Sequence, residues 1–294
     1  MRVIFDLSSL HGENLDRLRA SKLSILVKRH QLVICHTPIF LEEVLQGALS
    51  NRHVDRWPDV LGWAIDLVPE VVFLDKLDIW REELVVGAGP NARHTYPRKR
   101  TRRYLSHEEL IGTLRELATT RSVDELIDEA TRSEVDVNNA KKAAQRRLGQ
   151  EIRESVAQKA RRAGGAAILR DLPFWKVRAL NPHLWGCQLA SFLGPIHEDR
   201  VRDLWIRDPG RSPFYSAFAE SIDYWAYHVG CHPDVPIDQN AQMDFEQLCY
   251  LVWADLIVSN DTRFFKLAFD AIWRPKKKIL MSTDEFLDLV SVLA

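Results

Sequence analysis

Two segments near opposite ends of this chain share one local arrangement, an apolar strand-like run closed by a carboxylate. Near the start, Val3-Ile4-Phe5 leads directly into Asp6-Leu7-Ser8-Ser9-Leu10. Near the end, Asp255-Leu256-Ile257-Val258 leads into Ser259-Asn260-Asp261-Thr262-Arg263-Phe264. Short runs that are apolar throughout suit strands buried on both faces, as in a parallel sheet covered by helices. Open α/β sheets bind ligands at the carboxyl ends of their strands. Acids placed just beyond two such strands therefore predict a site built from both ends of the chain.

The segments between agree with that sheet. Residues 14–30 carry apolar positions mostly at helical spacing, and Leu32 to Cys35 reads as a second strand. Thr37-Pro38 has the form of a helix start, with Thr as the capping residue and Pro at the first helical position. Residues 59–68 read as a helix and Val71 to Leu74 as a strand. The order β-α-β-α-α-β favours a parallel sheet packed under helices. Alternation resumes near residue 240, with a helix over 242–254, a strand at Leu256 to Val258, a helix over 263–272 and an edge strand from Lys278 to Met281. Ser282-Thr283-Asp284-Glu285 has the form of a capping box for the last helix.

Between these parts the composition changes. Gly87-Ala88-Gly89-Pro90-Asn91 is a cluster of helix and strand breakers. From Arg93 to Arg103, six of eleven residues are basic: Arg93, Arg98, Lys99, Arg100, Arg102 and Arg103. Their interleaving with His94, Tyr96 and Tyr104 suits a phosphate backbone and unstacked bases, and equally suits an exposed basic loop. Residues 106–163 read as charged helices, with Ser106 to Glu109 as a capping box for the first and further helices over 122–131 and 138–162. Residues 165–235 are rich in Pro and Trp. The expected organisation is a discontinuous α/β domain, residues 1–88 with 236–294, interrupted by a mainly helical insertion over 89–235.

Four acids fall where such a sheet would gather them. Asp6 and Asp261 follow strands. Glu43 lies one to two turns inside the helix after Cys35, with Glu42 as its competitor. Asp244 sits near a helix start, where the backbone dipole favours negative charge. Clustered carboxylates resist joint ionisation, and a hard cation relieves that conflict. Magnesium takes oxygen ligands and usually keeps several waters. Such ions can activate water and stabilise an in-line phosphoryl displacement.

In these motifs the chain resembles the PIN-domain nucleases, over roughly residues 1–85 and 238–294. The matching stretches are Asp6-Leu7-Ser8-Ser9-Leu10, Thr37-Pro38 through Glu42-Glu43-Val44, Asp244-Phe245-Glu246-Gln247-Leu248 and Ser259-Asn260-Asp261-Thr262-Arg263-Phe264. The resemblance implies a PIN-like three-layer α/β/α fold with a mostly parallel central sheet. It implies Asp6, Glu43, Asp244 and Asp261 as catalytic, metal-binding acids, with Glu43 a better match than Glu42. Ser8 and Ser259 would support them, and Asp255 would stand in an outer shell. It further implies Mg2+ or Mn2+ as cofactor, and endonucleolytic hydrolysis of single-stranded or structured RNA by metal-activated water, with no covalent intermediate. The distance from Glu43 to Asp244 exceeds that in small PIN toxins and marks an elaborated member whose insertion selects a substrate or a protein partner. A silent PIN-like scaffold binding RNA or protein, and a DNA-directed nuclease on the same fold, are the rival expectations.

Other chemistries lack support. A net charge of −1 excludes a generic polyanion binder, so nucleic-acid affinity would rest on local patches. The four cysteines contain no CxxC pair and read as reduced, buried thiols of a cytoplasmic protein. No signal-peptide pattern and no run of about 18 apolar residues is present, so no membrane span is expected. Among ten histidines there is no HExxH spacing, and only His36 lies beside a strand end. Phosphate-binding glycine loops and a GxSxG elbow are absent from the sequence.

Overall fold

A computed structural model describes residues 1–49, 57–67, 71–119, 140, 142–158, 174, 199, 202–203, 205–232, 234–238 and 240–294. The expected helix over 122–131 lies outside the described residues, as does most of 165–204.

Five short strands form one sheet: β1 Arg2–Phe5, β2 Val33–His36, β3 Val71–Val72, β4 Leu256–Val258 and β5 Ile279–Met281. Their order is β3-β2-β1-β4-β5 and every pairing is parallel. Val3 stands opposite Ile34 on one side and next to Leu256 on the other. Strands from the two ends of the chain are thus central neighbours. From β1 the chain winds outward through β2 to β3. After the long excursion it re-enters at β4 and winds outward the other way. The order reverses between β1 and β4, which is where open α/β sheets form their ligand crevice.

Alternate strand residues feed two separate cores. Ile4, Cys35 and Ile257 point into one layer, where they meet Phe214, Phe218, Phe245, Leu248 and Phe269. Val3, Phe5, Ile34, Val72, Leu256 and Val258 point into the other, against Leu15, Leu26, Phe40, Leu61, Ile111 and Phe286. Period-two side-chain direction in a sheet covered on both faces explains why the strands read as unbroken apolar runs. The fold is α/β with helices over both faces.

The helices are α1 Asn14–Ala20, α2 Leu23–Lys28, α3 Pro38–Leu49, α4 Trp57–Leu67, α5 Lys76–Trp80 and α6 His107–Thr119. Residues 142–158 and 205–207 are also helical. Further along come α7 Pro213–Cys231, α8 Ala241–Cys249, α9 Phe264–Ile272 and α10 Thr283–Leu293. Where one helical stretch was expected over 14–30, Ser21 divides two. Its Oγ donates to Leu18 O at 2.6 Å and accepts from Leu23 N at 3.3 Å, closing one helix and opening the next. The helix expected to reach 254 ends as α8 at Cys249 and tightens into a 3-10 turn over Tyr250–Val252.

Three expected helix starts carry their caps. Phe40 N donates to Thr37 Oγ1 at 3.0 Å. Ser106 and Glu109 exchange bonds reciprocally, with Ser106 N to Glu109 Oε2 at 2.8 Å and Glu109 N to Ser106 Oγ at 3.2 Å. Ser282 and Glu285 form the capping box of α10. Such caps satisfy amide donors that the first turn cannot pair internally.

The segment after the breaker cluster joins both layers. Thr95 bridges Phe73 in antiparallel fashion, so residues 94–96 cover the outer edge of β3. Ile111 and Leu114 of α6 enter one core, and the inward face of α7 enters the other. The N-terminus of α7 is held by Glu83, whose carboxylate accepts from Phe214 N and Tyr215 N, each at 2.9 Å.

A candidate acidic site at the switch point

Asp6 leaves β1 with its backbone still in the sheet, Asp6 N donating to Val258 O at 2.9 Å. Its side chain is 8% exposed and anchors the centre of the site. Ser259 Oγ donates to Asp6 Oδ2 at 2.8 Å, and Ser8 Oγ donates to the same oxygen. Ser8 N reaches it at 3.3 Å, and the two hydroxyl oxygens lie 3.2 Å apart. Ser259 Oγ also accepts from Asp261 N at 3.1 Å. One serine thus ties the β1 acid to the β4 acid. Asn260 completes the stitch, its N–H donating to Ser8 Oγ at 3.0 Å and its Nδ2 to Thr283 Oγ1 at 2.9 Å.

The four acids act on one another. Burial raises the Asp6 carboxyl against the lowering effect of the serine bonds, and Asp261 adds to the raise. Glu43 is pushed well above the usual carboxylate range, first by burial and then by the charges of Asp6, Asp244 and Glu42. Asp244 is raised likewise by burial and by Asp238, Asp6 and Asp261, with Arg263 opposing. Two buried helices supply the inner pair: α3 turns Glu43 inward while Glu42 is exposed, and α8 presents Asp244 from its first turn. Glu43 Oε2 is buried without a hydrogen-bond partner. An unpaired buried carboxylate oxygen is costly and calls for a counter-charge.

Asp261 is differently placed, with its side chain 17% exposed and paired to Arg263. Its Oδ1 accepts from Arg263 N at 2.7 Å, and its Oδ2 meets Arg263 Nη2 at 3.2 Å.

Asp255 does not join them. It lies at the amino end of β4, where Arg2 N donates to its Oδ2 at 2.8 Å. A strand's two ends face opposite rims of the sheet, which separates Asp255 from the acids beyond the carboxyl ends. The basic segment is exposed, and two of its members are engaged locally: Arg100 with Glu109 at 3.3 Å and Arg103 with Asp78 at 2.9 Å. Arg93, Arg98, Lys99 and Arg102 are exposed as well. None of the six is among the leading charges acting on Asp6, Glu43 or Asp244. His36 is a packing residue. It stacks on Phe40, its Nε2 lies 2.9 Å from Ala64 O, and burial lowers its pKa to about 4. Cys35, Cys231 and Cys249 are buried free thiols, and Cys187 lies outside the described residues.

Three neighbours of the site were not singled out from sequence. Gln247 stands three residues after Asp244 on the same face of α8, and its Nε2 donates to Phe5 O at 3.0 Å. That spacing was a legible signal. Asp238 is the leading charge on Asp244, yet it sits in a Pro-rich loop with no periodicity to mark it. Arg263 was visible only as an interior position of the final motif.

Among the described residues, no three His, Cys, Asp or Glu side chains stand together as a ready metal cage. The donor set nevertheless suits a hard cation that keeps water, since magnesium commonly takes only one or two carboxylates directly. No helix among the described residues is long and apolar enough to cross a membrane. Comparison with family models, curated proteins and solved structures gives no match to this chain.

Proposed function

We propose that this chain is a PIN-like, metal-dependent endoribonuclease with Asp6, Glu43, Asp244 and Asp261 as its acids. The observation that carries the reading is that Ser259 bonds both Asp6 and the backbone of Asp261 at the sheet's switch point, where the charges of Asp6 and Asp244 act on a Glu43 whose Oε2 is buried and unpaired. A bound Mg2+ or Mn2+ would supply an activated water and neutralise charge on the phosphate under attack. Glu43 and Asp244, both raised by burial and by neighbouring acids, would offer carboxylate oxygens to the cation. Asp6 is oriented by Ser8 and Ser259, which leave Oδ1 for the site while occupying Oδ2. Asp261 closes the outer side. Exposed cations of residues 93–103 would draw in an RNA backbone by non-specific attraction.

Replacing Asp6 or Asp261 with Asn abolishes magnesium-dependent cleavage of RNA while thermal unfolding stays cooperative. Cleavage unchanged in both variants excludes this site. Parallel assays on single-stranded RNA, structured RNA and DNA assign the substrate. The rival reading, a silent scaffold, draws support from the Arg263–Asp261 pair, which already neutralises one of the acids. Calorimetric titration with Mn2+ separates the two, because a scaffold takes up no cation in an Asp6-dependent manner.

A further inference from the structure

The arrangement divides the acids into an inner and an outer group. Among the described residues, no cation is among the leading charges acting on Asp6 or Glu43. On the outer side, Arg263 faces three acids. It bonds Asp261, and the charges of Asp261, Asp238 and Asp244 all hold its guanidinium in the charged form. The same guanidinium is what opposes the raised pKa of Asp244.

We propose that Arg263 is the resident counter-ion of this site: it holds Asp261 Oδ2 until a divalent cation arrives, then releases it and takes a phosphate oxygen of the substrate. The inference rests on the nuclease reading above and names one further residue of that site, a positioning residue for the substrate.

The geometry makes the exchange local. Asp261 uses its oxygens for different purposes. Oδ1 accepts the backbone N–H of Arg263 and so fixes the turn that leads into α9, whereas Oδ2 is held only by the Arg263 side chain among the bonds described. Swinging that side chain away frees Oδ2 without disturbing the turn that fixes Asp261. The swing meets little resistance, because the Arg263 side chain is 72% exposed. An exposed ion pair of this kind is weak, so a divalent cation drawing on several carboxylates outcompetes it. The orphaned Glu43 Oε2 supplies the independent pull toward a cation on the inner side. Once displaced, the guanidinium remains at the mouth of an acidic pocket that its own charge no longer neutralises. Its planar fork matches a phosphate oxygen pair there better than an ammonium would.

The test is Mn2+ titration by calorimetry of the full chain and of Asp6→Asn, Arg263→Gln, Arg263→Lys and Lys266→Gln. Lys266 pairs with Asp270 at 3.1 Å and is not among the leading charges on Asp6, Glu43 or Asp244, so its variant controls for loss of one positive charge. The exchange predicts that Arg263→Gln binds Mn2+ about three- to fivefold more tightly, the range an exposed ion pair supports. Lys266→Gln leaves the affinity unchanged and Arg263→Lys falls between. In RNA cleavage, Arg263→Gln raises KM several-fold with kcat little altered. If Arg263→Gln binds Mn2+ no more tightly while uptake still requires Asp6, the exchange is wrong and the nuclease reading stands. If the unaltered chain shows no Asp6-dependent uptake, both are wrong.

Discussion

Glu83 gives the most direct test of how burial and charge trade off in this fold. It is 3% exposed, and both carboxylate oxygens accept backbone N–H groups at the start of α7. Two such bonds and a helix N-terminus would ordinarily favour the ionised form. Burial outweighs them, and the pKa rises from 4.5 to about 7. The folded chain therefore holds this proton more tightly than the unfolded chain does. The stability linked to it is fully present below the unfolded value of 4.5 and is lost as pH rises through the folded value of about 7. At about 1.4 kcal/mol per pKa unit, the whole loss is about 3 kcal/mol.

The assay is urea unfolding of the parent and of Glu83→Gln at intervals from pH 4.5 to pH 8. Every other titrating group is common to both chains, so the difference between them isolates Glu83. The amide cannot ionise, but it presents its NH2 to one of the two buried N–H donors, which costs about 1–3 kcal/mol. Parent minus variant should begin positive at low pH and fall by about 3 kcal/mol across the window. A difference that stays flat from pH 4.5 to pH 8 refutes the argument, since it would mean that Glu83 titrates alike in both states.

Other expectations follow from single contacts. Glu43→Gln stabilises the chain increasingly as pH rises, because burial and the neighbouring acids oppose ionisation of Glu43, and it abolishes Mn2+ uptake; thermal unfolding with and without Mn2+ reads both. Mn2+ raises the melting temperature of the parent and leaves that of Asp6→Asn unmoved. Lys76 pairs with Glu246 at 2.5 Å, Glu246 being almost fully buried, so Lys76→Met strands a charge and costs about 3 kcal/mol in urea unfolding. Thr37→Ala removes the α3 cap and costs about 1 kcal/mol.

The parts of this fold that were legible in the sequence are those fixed by local chemistry. Apolar runs announced β1, β2 and β4, and Thr37, Ser106 and Ser282 announced their helix starts. What escaped were features that apolar periodicity does not carry. Ser21 splits a helix through bonds to its own backbone neighbours while the apolar spacing runs straight through it. Asp255 was expected in an outer shell of the site although it precedes β4, and direction along a strand decides which rim a residue reaches. Asp238 carries no pattern at all; only the folded loop brings it beside Asp244.

The strand order explains why acids so distant in sequence meet. Had β4 added outside β3, Asp6 and Asp261 would be separated by the width of the intervening strands, each spaced by about 4.8 Å. Because β4 pairs directly with β1, Ser259 can bond Asp6 and Asp261 at once, and Gln247 can reach back to Phe5 O. Those bonds hold the acids beside one another, and burial with mutual repulsion raises the carboxyl pKa values of Asp6 and Glu43 and leaves one oxygen of Glu43 unpaired. Among the described residues, Arg263 is the cation that acts on Asp244 and pairs with Asp261, and the proposed exchange of that pair for a divalent ion rests on this placement.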